Sequence, residues 1–133
     1  MAAEAYLLDA SALFTLVEDE PGAERVQEII AGERALVPWI ALLETHYVTR
    51  QERGAAEADR RYALLCEVSA EILWEIDEVV LRTASRLKAE HPVSLADAIT
   101  GAYAHRHGAV LVHKDPEYEN LRDLVALERL PAK

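Results

Sequence analysis

Ala5-Tyr6-Leu7-Leu8-Asp9-Ala10-Ser11 begins with four apolar residues and turns polar at once. The apolar run is too short for a helix, and Asp-Ala-Ser has the composition of a helix start. Together they predict a strand ending at Leu8 that passes directly into a helix. Ala109-Val110-Leu111-Val112 repeats the pattern, followed by His113-Lys114-Asp115-Pro116, where Asp115 is a good N-cap and Pro116 suits the first helical position. Neither run alternates with polar residues. Each therefore suits a strand covered on both faces, as in parallel sheets.

Between these runs the chain keeps alternating. Pro21-Gly22 marks a break, and Ala23 to Ala31 carries Val26, Ile29 and Ile30 at helical spacing, with Gly32 as the expected stop. Ala35-Leu36-Val37 reads as a second strand, and Pro38 opens a helix to about Arg53, ended by Gly54. A helix with a polar face follows from Ala55 to Glu67. Glu71 to Ile76 is a third strand, and Asp77 starts a helix to Glu90. Ser94 caps the next helix, which runs to His107 and stops at Gly108. Leu124 to Leu127 makes a last edge strand. This order predicts one α/β domain over residues 1–133, with helices on both faces of a mostly parallel sheet. Sites in such sheets lie beyond the carboxyl ends of the strands, where Asp9 and Asp115 fall.

At 133 residues and 51% hydrophobic content the chain can bury about two-thirds of its unfolded surface, which excludes disorder. Fourteen Lys and Arg against twenty-four Asp and Glu give a net charge of −10. That argues against a broad basic hold on nucleic acid, leaves room for a substrate held by metal at one cleft, and favours a cationic protein partner. One cysteine, Cys66, excludes an internal disulfide framework and suits a reducing compartment. The N-terminus lacks the basic region of a signal peptide, and no apolar stretch reaches membrane-spanning length. The expectation is a cytoplasmic protein without a membrane anchor.

Four acids stand out of place in apolar surroundings: Asp9 after its strand, Glu44 directly after the run Trp39 to Leu43, Asp97 within Ser94 to Ile99, and Asp115 after Val112. Singly each has an ordinary reading. Asp9, Ser11 and Asp115 suit helix caps, Glu44 can snorkel at a stripe edge, and Ser94-x-x-Asp97 matches a capping box. Jointly they place carboxylates at one sheet edge, where their repulsion raises pKa values unless a cation compensates. Oxygen ligands and retained waters suit Mg²⁺ or Mn²⁺. Such an ion polarises a phosphoryl oxygen and lowers the pKa of water, so the pattern points to phosphate chemistry.

Asp9-Ala10-Ser11, Glu44, Leu95-Ala96-Asp97-Ala98 and His113-Lys114-Asp115-Pro116-Glu117-Tyr118 resemble, in order and spacing, the motifs of the PIN domain. The likeness is closest to the small VapC-type toxin ribonucleases and covers nearly the whole chain. It implies a three-layer α/β/α fold, Mg²⁺- or Mn²⁺-dependent cleavage of RNA to 5′-phosphate and 3′-hydroxyl ends, and inhibition by a VapB-like antitoxin. It also implies a homodimer. Asp9, Glu44, Asp97 and Asp115 would be the catalytic and metal-holding quartet, with Ser11 supporting the first acid. His113 stands where the family usually has Thr or Ser, and Tyr118 where it usually has Phe; Glu117 takes the usual acidic position between. His113 and Lys114, beside Asp115, are expected substrate contacts.

Other residues have plainer readings. His105, Arg106 and His107 complement the negative end of a helix, and their spacing with Cys66 is not that of a zinc site. Trp39, Tyr47 and Trp74 have apolar neighbours and are expected in the core, with Trp39, next to Pro38, alternatively edging a partner groove. Arg50, Arg53, Arg60 and Arg61 read as a solvated face, or as phosphate-positioning residues. No GxxxxGK[ST] loop is present. The rival functions are a catalytically weak PIN-like interaction module and, more remotely, a phosphatase or phosphoacceptor domain. The last lacks a second Asp two residues after Asp9, where Ser11 stands.

Overall fold

The computed structural model describes residues 5–132, so the first four residues of the stretch read for a leader lie outside it. Five strands, β1 (Tyr6–Leu8), β2 (Ala35–Pro38), β3 (Glu71–Leu73), β4 (Val110–His113) and β5 (Leu127–Arg129), form one sheet in the order β3-β2-β1-β4-β5. Every neighbouring pair is parallel, and Leu7 of β1 is in register with Leu36 on one side and Leu111 on the other. The intervening helices are α1 (Ala10–Val17), α2 (Ala23–Gly32), α3 (Trp39–Arg53), α4 (Ala55–Glu67), α5 (Glu78–Glu90) and α6 (Leu95–His107). A 3-10 helix, Pro116–Leu121, follows β4.

The unbroken apolar strands are explained by two cores. Leu7, Leu36 and Leu111 point to one face, where α5, α6 and Tyr118 cover them. Leu8, Val37 and Val112, one residue on, point to the other, beneath α1, α2, α3 and α4. The period of two along each strand thus feeds both layers, and each fully buried leucine contributes about 1.5–3 kcal/mol. The result is an α/β/α sandwich. No helix among the described residues is long and apolar enough to cross a membrane.

Connectivity fixes the site. The chain builds outward from β1 through β2 to β3, then crosses back to lay β4 on the other flank of β1. The switch point lies between β1 and β4, and their carboxyl ends carry Asp9 and Asp115. Gly101 lets α6 come close to the segment after β4: a Cβ there would stand 2.8 Å from Leu121 Cδ1.

Several sequence expectations need correction. Trp74 and Tyr47 are not core; they are 58% and 45% exposed, Trp74 because it leaves the edge strand β3 and Tyr47 because it faces outward from α3. Trp39 is half-buried, its Nε1 donating to the Tyr103 hydroxyl at 2.9 Å. The third strand ends at Leu73, not Ile76, and the last runs Leu127–Arg129 rather than Leu124–Leu127. Gly32 is the final residue of α2, and extended Glu33 caps it through its N–H to the Ile29 carbonyl. Arg61 is no part of a solvated face. It is buried against Glu57 at 2.8 Å and Glu18 at 3.6 Å, tying α4 to the end of α1.

Candidate metal centre

Asp9 caps α1. Its carboxylate accepts from the Ala12 N–H at 2.8 Å and from the Ser11 hydroxyl at 2.7 Å and 2.9 Å. The same Ser11 oxygen accepts the Lys114 N–H at 2.9 Å, so one hydroxyl joins the β1 corner to the β4 corner. Burial pushes the Asp9 carboxyl up to about 7 against those hydrogen bonds, and the charges of Glu44 and Asp115 push the same way. Glu44, half-buried on α3, is raised by burial and then by the Asp115 charge.

Asp97 occupies the third position of α6. Its N–H donates to the Ser94 hydroxyl at 3.1 Å, which forms only half of the capping box expected from sequence. The Asp97 carboxyl enters the cleft instead of returning to the Ser94 backbone, and Glu117 takes the Ser94 N–H and hydroxyl. Burial raises Asp97 to about 8, reinforced by a carboxyl–carboxyl hydrogen bond with Glu117 and opposed by the Tyr118 hydroxyl. Glu117 moves downward because it accepts that hydrogen bond. The two shifts run in opposite directions, as a proton shared by the pair requires. If Asp97 is ionised instead, its buried Oδ2 has no hydrogen-bond partner.

Asp115 caps the 3-10 helix, accepting from the Glu117 N–H at 2.9 Å. Asp97, Asp115 and Glu117 each offer an oxygen, all within 4.8 Å of one another. Of the four acids singled out in the sequence, Asp97 and Asp115 come together with Glu117, while Asp9 and Glu44 stand outside that cluster and feel the Asp115 charge. Sequence reasoning left Glu117 out of the quartet. Its signal was the spacing of two from Asp115, which a 3-10 start turns into adjacency.

The donor set fits a hard divalent cation. All the converging atoms are carboxylate oxygens, two of the acids are nearly fully buried, and one buried oxygen lacks a donor. His113 lies behind the cleft rather than in it. It is fully buried with neither ring nitrogen hydrogen-bonded, is held below its usual pKa by burial, and packs edge-on against Tyr118 at 5.1 Å between centroids. The Lys114 ammonium, largely buried, meets Glu20 at 3.2 Å across to the α1–α2 turn. His105 Nδ1 faces the Leu124 carbonyl at the end of α6, and Cys66 is exposed on α4.

No curated protein sequence matches the chain. Among solved structures, VapBC2 from Rickettsia felis, bound to a promoter DNA fragment, aligns with a TM-score of 0.78 at 13% identity, covering 96% of this chain and 99% of that one. VapBC-1 from nontypeable Haemophilus influenzae gives 0.74 at 21% identity, with 94% and 97% covered. VapC20 from Mycobacterium tuberculosis, described as a sarcin–ricin loop cleaving toxin, gives 0.70 at 15% identity, with 86% and 92% covered. These likenesses are of fold. The PIN domain model matches residues 6–124, from the first strand past the 3-10 helix. That span takes in every acid of the cleft, and on it the chain belongs to the PIN domain family.

Proposed function

We propose that the chain is a metal-dependent endoribonuclease, the toxin half of a VapBC-type pair. The observation that carries this reading is the convergence of Asp97, Asp115 and Glu117 beside buried Asp9, at the one point of the sheet where strand order reverses. Asp9, Asp97, Asp115 and Glu117 would hold Mg²⁺ or Mn²⁺, with Glu44 directly or through water. When bound, the cation supplies Lewis acidity toward a phosphoryl oxygen and toward a water.

The chain's own groups prepare that chemistry. Ser11 orients the Asp9 carboxylate and fixes the β4 corner through the Lys114 N–H. Asp97 and Glu117 would hold the cation as carboxylates, giving up to solvent the proton that burial favours on Asp97. Glu44, already raised by burial, is placed to take a proton at its carboxylate from a group entering the cleft. The substrate would be a single-stranded RNA loop, whose phosphates and bases are accessible; a structural neighbour described as cleaving the sarcin–ricin loop supports that class.

A VapB-like antitoxin would inhibit by setting an Arg against Asp9, Glu44 and Asp97, since guanidinium meets carboxylates bidentately. Leu16, Val17 and Leu64, which line a depression between α1 and α4, would take apolar anchors of the same segment. Exposed Val79 and Leu81 on α5 and Leu95 on α6 offer a face for a homodimer. The test is incubation of a total-RNA pool with and without Mn²⁺. Discrete fragments bearing 5′-phosphates are expected only with the ion, and not from the Asp9→Asn protein. Intact RNA after exposure to folded, Mn²⁺-loaded protein would overturn the reading in favour of an interaction module.

A further inference from the structure

The carboxyl edge of the sheet carries a second feature beside the acidic cleft. Moving from β1 toward the edge strand, the residues that follow the strands are Asp9, then Trp39, then Trp74. Both tryptophans of the chain thus stand on the edge that holds the acids. Neighbouring strands are about 4.8 Å apart, so Trp74 lies roughly 10 Å from Asp9 along the edge. Helix α3 links the two places, with Glu44 on the cleft side and its neighbour Leu43, 49% exposed, on the other.

Trp74 and Trp39 border a groove of about 530 Å³, floored by Leu42 and Leu43 and closed by Tyr62, His46 and Asp59. The walls are flat π surfaces: Trp74 is 58% exposed, Tyr62 is 38% exposed, and His46 meets Tyr62 edge-on at 6.0 Å. Its polar feature is His46 Nε2 against Asp59 Oδ1 at 2.8 Å, a pair able to offer and accept hydrogen bonds at a base edge. Among the described residues no Lys or Arg lines the groove, so it is not built for a phosphate. One wall is rigid, because Trp39 donates to the Tyr103 hydroxyl, which donates to the Glu75 carbonyl next to Trp74.

From this juxtaposition we infer that the groove is a nucleobase subsite, in which Trp74 stacks on an unpaired base of an RNA strand whose backbone crosses the acidic cleft. The inference rests on the nuclease reading above for its substrate class. The geometry favours a base over a protein segment for two reasons. Three aromatic rings, together with Leu42 and Leu43, surround one polar pair able to meet a base edge, and the groove continues the edge on which the acids stand. Phosphate affinity resides in the cation, and base affinity resides in the ring.

An abasic scan tests this in the protein with its acidic cleft intact, on strands whose phosphorothioate linkages resist cleavage. Anisotropy of a labelled, mixed-sequence single-stranded RNA oligonucleotide, with Mn²⁺ present, gives affinity for the intact strand and for strands lacking one base at each position. Trp74→Ala is expected to weaken binding of the intact strand roughly tenfold to a hundredfold, and Trp74→Phe to restore most of it. One abasic position should weaken binding to the Trp74 protein and leave the Trp74→Ala protein indifferent. Purely additive losses, or unchanged affinity in Trp74→Ala, overturn the subsite. Unchanged RNA affinity with loss of self-association or of binding to an Arg-rich peptide also overturns it, marking a protein-docking face. A protein that shows the coupled position yet cuts no RNA as wild type keeps the groove and contradicts the nuclease reading. One that cuts RNA without any coupled position contradicts the groove alone.

Discussion

Replacing Asp97 with Asn removes a charge from a site that, without metal, disfavours it. The Asp97 carboxyl is 8% exposed and raised from 3.8 to about 8, first by burial and then by its contact with Glu117. Because its folded pKa lies above its unfolded one, the folded protein binds the extra proton between pH 4 and 8. Stability is therefore greatest at the acid end of that window and falls as pH rises through the folded value. Taken alone, the displacement corresponds to about 6 kcal/mol. Glu117 shifts the opposite way in accepting the same proton, and water can enter the cleft once Asp97 ionises, so we expect about 2 kcal/mol in practice. The amide introduced by Asp97→Asn can donate to Glu117 at every pH. In thermal melts in EDTA from pH 5 to 9 the Asp97→Asn advantage should grow steadily from pH 5 and level off near pH 8, at roughly 7 °C. A variant that is less stable at pH 8.5, or offset equally at every pH, would refute the shared-proton description of the cleft.

Other outcomes rest on the same geometry. Mn²⁺ should raise the wild-type melting temperature more at pH 8 than at pH 6, since binding displaces protons from Asp9 and Asp97, and the Asp9→Asn protein should lose most of that gain. His113 is depressed by burial, so it contributes stability above its unfolded pKa of about 6.5 that is lost as pH falls; His113→Gln should flatten the acid limb of the stability profile below pH 6.5. Arg61→Ala should cost about 3 kcal/mol, measured by urea unfolding, because it withdraws the buried partner of Glu57 and Glu18. Lys114→Met should cost about 1 kcal/mol through the Glu20 pair, read by the same method.

The layers of the fold were legible because β1 and β4 announce themselves as apolar runs without alternation, and the acid after each run marks the carboxyl edge. Edges of elements were less legible. Leu124 and Val125 belong to the turn after the 3-10 helix, where Val125 packs into the core, so the apolar stretch precedes the true strand. β3 stops at Leu73, and the Glu75 carbonyl is satisfied by Tyr103, a partner 28 positions away. Trp74 and Tyr47 have apolar neighbours in sequence, but Trp74 only edges a groove past the end of β3 and Tyr47 faces outward from α3. Arg61 hides in a run of basic residues because only the packing of α4 on α3 turns one of them inward. Glu117 joined the cleft unannounced for a similar reason: its neighbours Ser94 and Asp97 come from the start of α6, which only the fold brings to the turn after β4.

Manganese occupancy and RNA cleavage measured in the same samples test metal-dependent catalysis at this cleft most directly. Electron paramagnetic resonance of free Mn²⁺ gives the bound fraction along a titration, and gel analysis of the same tubes gives the cleavage rate. The rate is expected to rise in step with occupancy in the wild-type protein, and Asp9→Asn and Asp97→Asn are expected to lose both together. Cleavage that persists at zero occupancy, or full Mn²⁺ binding by these two variants, would contradict a metal-holding catalytic quartet.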